Sequence, residues 1–350
     1  MRQAAWAALA ACALGMGTTC AAQTAGANPA DVHVRVNQAV KTGIEGTVEF
    51  PTIQMALDHH PFPKAGSGGR VYIEIASGVY PERVVVTQNH PGIVLMGMGK
   101  GPEDVVITGN RTAGSAGGTF VSQTVEVNGA DFAAVNLTIE NTAGPGEPAV
   151  ALALRSDRAV IKNCQILGYQ HTLFADWGRQ YFVGGLITGN IHFIFGNATA
   201  VFEGVEIRSV GRGVIASQSR TGPEQTTGYV FLRSRVTSVG AWAVGLGDPW
   251  RAYSRTFFVE TELPEQVTPE GWGDRGAEEN RKTVDYGEFG NTGPGANLAK
   301  RPAWIRRLSA EEAKRLEARE FLRGTDGWDP VKEAEGLGKR SREQGTGIRK

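Results

Sequence analysis

The chain is poor in cysteine, with only three among 350 residues, and two of these, Cys12 and Cys20, lie within the first 22 residues. If that stretch is removed on export, Cys164 alone remains and an internal disulfide is excluded. We expect Cys164 to act as a small buried hydrophobic residue. Stability must then come from backbone hydrogen bonds and apolar packing.

An excess of charge of one sign is also missing, because Lys plus Arg and Asp plus Glu both number 36. Without a basic excess, nucleic acid is not predicted as a partner. An acidic polysaccharide can still bind at a local patch, since net charge says nothing about distribution. No apolar run approaches the ~20 residues of a membrane span, so none is predicted.

The N-terminus has the pattern of an export signal. Arg2 is followed by an apolar stretch over residues 4–16 and by the small residues Ala21 and Ala22. We predict a signal peptide over residues 1–22 and a secreted or periplasmic protein. The alternative is a lipoprotein with Cys20 as the lipid-bearing residue, although the residues before it lack the usual leucine.

Glycine is abundant, at 47 residues, and separates short runs rich in Val and Ile. Runs such as 71–76, 134–139 and 159–166 have the length and composition of β-strands. Long helical stretches between them are missing, which argues against alternating strands and helices. An antiparallel sandwich and a solenoid remain, and Asn136 and Asn163, at strand ends about one coil apart, favour the solenoid.

Helices are predicted only near the two ends of the chain. Residues 52–58 form an early candidate, and 309–319 a late one in which Ser309 is the N-cap. Beyond Pro330 the sequence is charged and glycine-rich. We therefore predict one domain over residues 23–330 and a disordered charged tail over 331–350.

Six motifs occur in a consistent order between about residues 37 and 330. They are Gly-Val-Tyr-Pro-Glu at 78–82, Gly-Tyr-Gln-His-Thr-Leu-Phe at 168–174, Gly-Asn-Ile-His-Phe-Ile-Phe-Gly-Asn at 189–197, Leu-Gly-Asp-Pro-Trp at 246–250, Tyr-Gly-Glu-Phe at 286–289 and Asn-Thr-Gly-Pro-Gly-Ala at 291–296. Together they resemble the motifs of the pectin methylesterases, a family of carbohydrate esterases.

The resemblance implies an all-β fold, a right-handed parallel β-helix (solenoid) with short helices at the ends and a cleft along one face. It also implies the family reaction on a uronic-acid polysaccharide such as pectin, without a cofactor. One aspartate attacks the methyl ester, a second acts as acid and base, an arginine holds the nucleophile, and glutamines stabilise the oxyanion. We expect a monomer.

The centre of the pattern departs from the family. His171 occupies the acid/base position, His192 the nucleophile position and Asp248 the arginine position. Gln170 matches one family glutamine, but Pro148 replaces the other and has no amide to donate. Two imidazoles and one acid thus replace two acids and one base, which inverts the charges but keeps them able to pair.

Three interpretations of this centre stay open. In the first, Asp248 orients His192 as general base or nucleophile, and His171 is its acid partner. In the second, the three residues bind a divalent metal. In the third, the site is inactive. Because His171 and His192 are 21 residues apart (192 − 171), about one coil, their rings are expected side by side.

Aromatic residues complete the predicted cleft. Phe174, Trp250 and Trp272 fall where the family stacks sugar rings, whereas Phe193 and Phe195 are expected in the core. The leading hypothesis is hydrolysis of carboxylic (methyl) esters on a uronic-acid polysaccharide by altered or weakened chemistry. The alternatives are a catalytically inactive carbohydrate-binding protein and an esterase or thioesterase for another acyl substrate.

Overall fold

The structure, a computed structural model, describes residues 28, 30–40, 48–61 and 67–345. The predicted signal peptide lies outside the described residues. The described residues form mainly short strands, as predicted. The strands are β1 Val32–Val36, β2 Glu49–Phe50, β3 Val71–Ile75, β4 Gly78–Tyr80, β5 Val84–Val86, β6 Ile93–Gly97, β7 Val105–Gly109, β8 Val125–Val127, β9 Ala133–Val135, β10 Thr138–Asn141, β11 Leu152–Arg155, β12 Ala159–Lys162, β13 Gln165–Leu167, β14 Leu173–Trp177, β15 Arg179–Val183, β16 Leu186–Gly196, β17 Thr199–Glu203, β18 Glu206–Gln218, β19 Gly228–Leu232, β20 Arg235–Ser238, β21 Val244–Gly247, β22 Arg255–Val259, β23 Asp285–Phe289 and β24 Arg306–Arg307.

Among the described residues the helices are few, and all but the last are short. They are α1 Ile53–His59, α2 Ala113–Ala116, α3 Ala310–Lys314, α4 Ala318–Phe321 and α5 Pro330–Gly345, with 3-10 turns at Pro102–Asp104, Thr119–Val121, Glu278–Lys282 and Leu298–Lys300. Helix α1 begins after the N-cap Thr52, whose side chain accepts from the Met55 amide, and matches its prediction closely. Within the described part of the chain, no helix has the length and apolar character needed to cross a membrane.

The strands stack in three parallel ladders. The first runs β2-β1-β3-β6-β9-β12-β15-β17-β19-β22-β23-β24. The second contains β4, β7, β10, β13, the beginnings of β16 and β18, and β20, and the third contains β5, β8, β11, β14, the ends of β16 and β18, and β21. The chain visits the three ladders in the same order in each coil. Because the pairings within all three ladders are parallel, the antiparallel sandwich alternative is wrong.

The space between the ladders holds an apolar core in which like residues stack coil upon coil. Phe182, Phe202, Phe231 and Phe258 are register partners on the first ladder. Their successive ring centroids lie 4.6, 4.8 and 4.4 Å apart, close to the ~4.8 Å spacing of adjacent strands. Cys164 is buried in the same core, as predicted.

Asparagines form the predicted corners. Asn136 and Asn163 both adopt positive φ, at 55° and 49°, a conformation that asparagine tolerates better than most residues. The Asn163 amide donates to Asn136 Oδ1 at 2.9 Å. The Asn136 amide in turn donates to the carbonyl oxygens of Gly97 and Gly99 at 3.2 and 3.0 Å. These contacts link the same corner across three coils.

The late helix is shorter than predicted. The Ser309 hydroxyl caps α3 by accepting from the Glu312 amide, as predicted, and Glu312 bonds back to the Ser309 amide at 2.8 Å. The helix ends at Lys314 instead of continuing to residue 319. Glu317 precedes α4 and forms two hydrogen bonds with the exposed Arg233, at 2.7 and 2.8 Å.

The prediction of a disordered tail over 331–350 is wrong for its described part, because residues 330–345 form helix α5. Ala334 and Leu337 pack on the outer face of the first ladder. Glu333 pairs with Arg70 at 2.7 Å, and Lys162 Nζ donates to the Ala334 carbonyl at 2.7 Å. A few apolar residues at helical spacing are therefore enough to dock α5, because the outer face of the first ladder already offers an apolar surface.

We predict that Leu337→Ala lowers the free energy of unfolding by about 2–3 kcal/mol, because Leu337 is buried against the first ladder. The matched change Glu335→Ala, on the exposed side of α5, is expected to change it by less than about 0.5 kcal/mol. Urea denaturation measures both. Equal small effects would show that α5 does not dock.

Candidate functional site

The two histidines lie at the same corner of successive coils. His171 precedes β14, His192 lies within β16, and the His171 amide donates to the Ile191 carbonyl at 3.1 Å. Both have positive φ, 62° and 47°, which is uncommon for residues other than glycine and recurs at functional sites. Their rings are stacked with centroids 6.0 Å apart, as the spacing predicts.

Asp248 reaches His192 although it follows β21, two coils further on. His192 Nε2 lies 3.1 Å from Asp248 Oδ2. In the intervening coil the small Ser217 donates its hydroxyl to Asp248 Oδ1 at 2.8 Å. Both carboxylate oxygens of Asp248 therefore have partners. Because Nε2 of His192 is bonded to Asp248, Nδ1 is the ring nitrogen of His192 that is left for other contacts. The structure thus brings together the pair of the first interpretation.

His171 is enclosed by aromatic rings and lacks a polar partner. It is only 6% exposed and stacks on Phe195 at 4.5 Å, with Trp250 edge-on at 5.6 Å. Neither ring nitrogen has a hydrogen-bond partner among the described residues. Burial, aided by His192 and Arg275, lowers the pKa of His171 to about 4. His171 is therefore neutral near pH 7, which does not favour the role of acid partner that the first interpretation gives it.

The metal interpretation finds no support in the arrangement. Among the described residues, no three His, Cys, Asp or Glu side chains are grouped so that they could hold one metal ion. His171 stacks beside His192 with its plane tilted by 25°. Gln170 lies next to His171 with a partly exposed side chain, while its carbonyl accepts from the Ala149 amide at 3.1 Å.

An aromatic surface extends along the outer face beside the histidines. Trp250 is half-buried and lies edge-on to both imidazole rings. Phe174 stacks on Phe195 at 4.7 Å but is only 6% exposed, because Phe120 covers it at 5.0 Å. Phe174 is thus a supporting ring, and the 51% exposed Phe120 provides the open surface that the sequence assigned to Phe174.

The prediction that Trp272 lines the cleft is wrong. Its bridge to Gly247 directs the ring inward, where it stacks on Tyr286 at 4.6 Å. The indole nitrogen donates to the buried Glu288 at 2.9 Å, so the polar atom is satisfied inside the core. Phe193 is in the main core as predicted, but Phe195 lies on the outer face beneath His171.

Three residues of the site escaped the sequence analysis: Phe120, Ser217 and Arg275. The Arg275 guanidinium carbon lies 4.6 Å from the centre of the Trp250 ring, and Nη1 lies 3.8 Å from Asp248 Oδ1. None of the three falls in a motif. Their roles follow from which coils are neighbours, and that depends on loop lengths that no local pattern specifies.

Comparisons with known proteins identify the family of the chain. A family model described as Pectinesterase matches residues 39–325. Pectinesterase 1 of Citrus sinensis is 36% identical over 297 residues, which cover 80% of this chain and 50% of that protein. The chain thus spans about half the length of several curated relatives that it matches.

Solved structures show the same fold. Pectin methylesterase from carrot superposes with a TM-score of 0.78 and 31% identity, covering 86% of this chain and 95% of that one. A pectin methylesterase in complex with a hexasaccharide superposes with a TM-score of 0.71 and 25% identity, covering 85% and 98%.

The enclosure of His171 predicts a pH dependence of stability. Its pKa in the folded protein is lowered from 6.5 to about 4. Its contribution is therefore complete above about pH 6.5 and is lost as the pH falls toward 4, by roughly 2–3 kcal/mol. We expect the free energy of unfolding of wild type to fall more steeply over this range than that of His171→Gln. Identical slopes, or an NMR titration of His171 near 6.5, would contradict the enclosure.

Proposed function

The chain belongs to the pectinesterase family, and from that premise we propose that it hydrolyses carboxylic (methyl) esters on a uronic-acid polysaccharide such as pectin. One contact carries the proposal. His192, at the family's nucleophile position, is bonded through Nε2 to Asp248 Oδ2 at 3.1 Å. A histidine oriented by a partly buried carboxylate is a general base suited to neutral pH.

The proposed reaction is attack by water. His192 Nδ1 takes a proton from a water molecule, whose oxygen forms a bond to the ester carbonyl carbon. The carbon–methoxy bond of the tetrahedral species then breaks, and His192 returns the proton to the leaving methoxide. The products are a carboxylate, methanol and one further proton released at neutral pH. Asp248 stabilises the imidazolium that forms in between, and no acyl-enzyme is required.

The negative oxygen of the tetrahedral species needs donors. Both ring nitrogens of His171 are buried and lack a partner among the described residues, so its N–H is not presented to a bound substrate. We propose that Gln170, whose side chain is partly exposed, donates its amide N–H to the oxyanion. Pro148 cannot contribute a donor, so Gln170 is the one family glutamine left for this role.

Trp250 and Phe120 are proposed to stack on pyranose rings, since their flat faces are apolar and accessible along the outer face. We further infer that the coil is right-handed, because connections between parallel strands of one sheet almost always are. Export through the signal peptide over 1–22, with a secreted or periplasmic location, would place the protein where such a polymer occurs.

A second candidate function is carbohydrate binding without turnover. The observation that favours it is the presence of histidine at both aspartate positions of the family, 171 and 192. The aromatic surface at Trp250 and Phe120 serves this role equally well. The two functions differ in whether His192 activates water.

We predict that the full chain releases methanol from methylated pectin, and that His192→Ala lowers kcat/KM by about 10²–10⁴-fold because the general base is lost. As a matched control, His59→Ala, on the exposed side of α1, is expected to retain wild-type activity.

Binding without release by wild type would favour the second candidate. Methanol release only after His171→Asp, His192→Asp and Asp248→Arg are combined would contradict the histidine mechanism, because the aspartate reaction alone would then operate on this scaffold.

A further inference from the structure

Arg275 places a positive charge inside the aromatic surface. Its guanidinium carbon lies 4.6 Å from the centre of the Trp250 ring, and its side chain remains 37% exposed. It also lies close enough to His171 to contribute to the lowering of that residue's pKa. The cation therefore faces the space beside the two histidines, where the substrate is proposed to bind.

The loop that carries Arg275 is held in place by Asp274. Its carboxylate accepts from the Gly276 amide at 2.9 Å and from Arg281 Nε at 2.7 Å. The Asp274 carbonyl accepts from the Asn280 amide group at 3.0 Å. These bonds hold the loop in which Arg275 adopts a φ of 55°, and the contact with the Trp250 ring places the guanidinium.

The guanidinium retains its hydrogen-bonding capacity. Asp248 already accepts from Ser217 and bonds to His192. Arg275 Nη1 forms an ion pair with Asp248 Oδ1 at 3.8 Å, which is beyond hydrogen-bond range. Over the described residues, no hydrogen bond to the Arg275 guanidinium is present. A planar cation with free donors, braced on an aromatic face, is suited to a carboxylate held by two parallel bonds.

We propose that Arg275 is a specificity residue that binds the free carboxylate of a non-esterified uronate next to the ester being hydrolysed. This inference rests on the proposed function and adds a preference to it. The cleft then favours a partly esterified polymer over a fully esterified one, because only the former offers a carboxylate beside an ester.

The test compares the binding of two oligogalacturonates, one fully de-esterified and one fully methylated, by calorimetry. All variants carry His192→Ala, so that the ester is not consumed. We expect the preference for the de-esterified oligomer, expressed as a ratio of Kd values, to fall about five- to tenfold with Arg275→Gln. Arg275→Lys is expected to retain part of the preference, since it keeps the charge without the planar fork.

Arg323→Gln is the matched control, because it removes the same charge from an exposed arginine beside α4, which packs on the first ladder and not on the third. Arg323→Gln is expected to leave the ratio of the two Kd values unchanged. An unchanged ratio in Arg275→Gln, with both oligomers bound, would overturn the role of Arg275 alone. If neither oligomer binds to the parent protein, the proposed function fails and this inference with it.

Discussion

Parallel pairing of each strand with the strand one coil later sets the distances on which this molecule depends. It stacks the four phenylalanines of the first ladder at intervals of 4.4 to 4.8 Å and links Asn163 to Asn136. The same repeat brings His171 and His192 side by side at one corner. It also places Asp248 two coils from His192, with Ser217 in the coil between them. The side chain of Ser217 is short enough for Asp248 to contact His192, and its hydroxyl donates a hydrogen bond to Asp248. The site is thus a consequence of the ladder spacing.

The charges at this site are interdependent. Asp248 is partly buried, and it is stabilised by Ser217 and by the ring of His192. His171 sits between aromatic rings without a polar partner among the described residues, and this burial keeps it neutral near pH 7. Arg275 adds a cation from a separate loop and forms an ion pair with Asp248 at 3.8 Å. The proposed mechanism takes its base from His192 and Asp248, and the proposed specificity takes its cation from Arg275.

Much of this was predictable from the sequence, because motifs and coil-length spacing act locally. The 21-residue interval between His171 and His192 predicted stacked rings, and the inverted charges predicted the pairing with Asp248. The prediction for Trp272 was wrong because the position of a residue in a motif does not reveal which way its ring points. The ring points inward, where its indole N–H donates to a buried glutamate. The prediction for residues 331–350 missed helix α5 because the few apolar residues of this segment stabilise a helix only when they pack on the outer face of the first ladder. Arg275 was missed because it is distant from Trp250 in the sequence, and only the folded chain brings its loop against that ring.

The central claim is that His192 and Asp248 act as one catalytic unit. The most direct measurement is a double-mutant cycle on kcat/KM for methylated pectin, with His192→Gln, Asp248→Asn and both changes together. If Asp248 works through His192, the double variant loses little more than the more damaging single variant. Losses that multiply, or a wild-type protein that releases no methanol, would contradict the account.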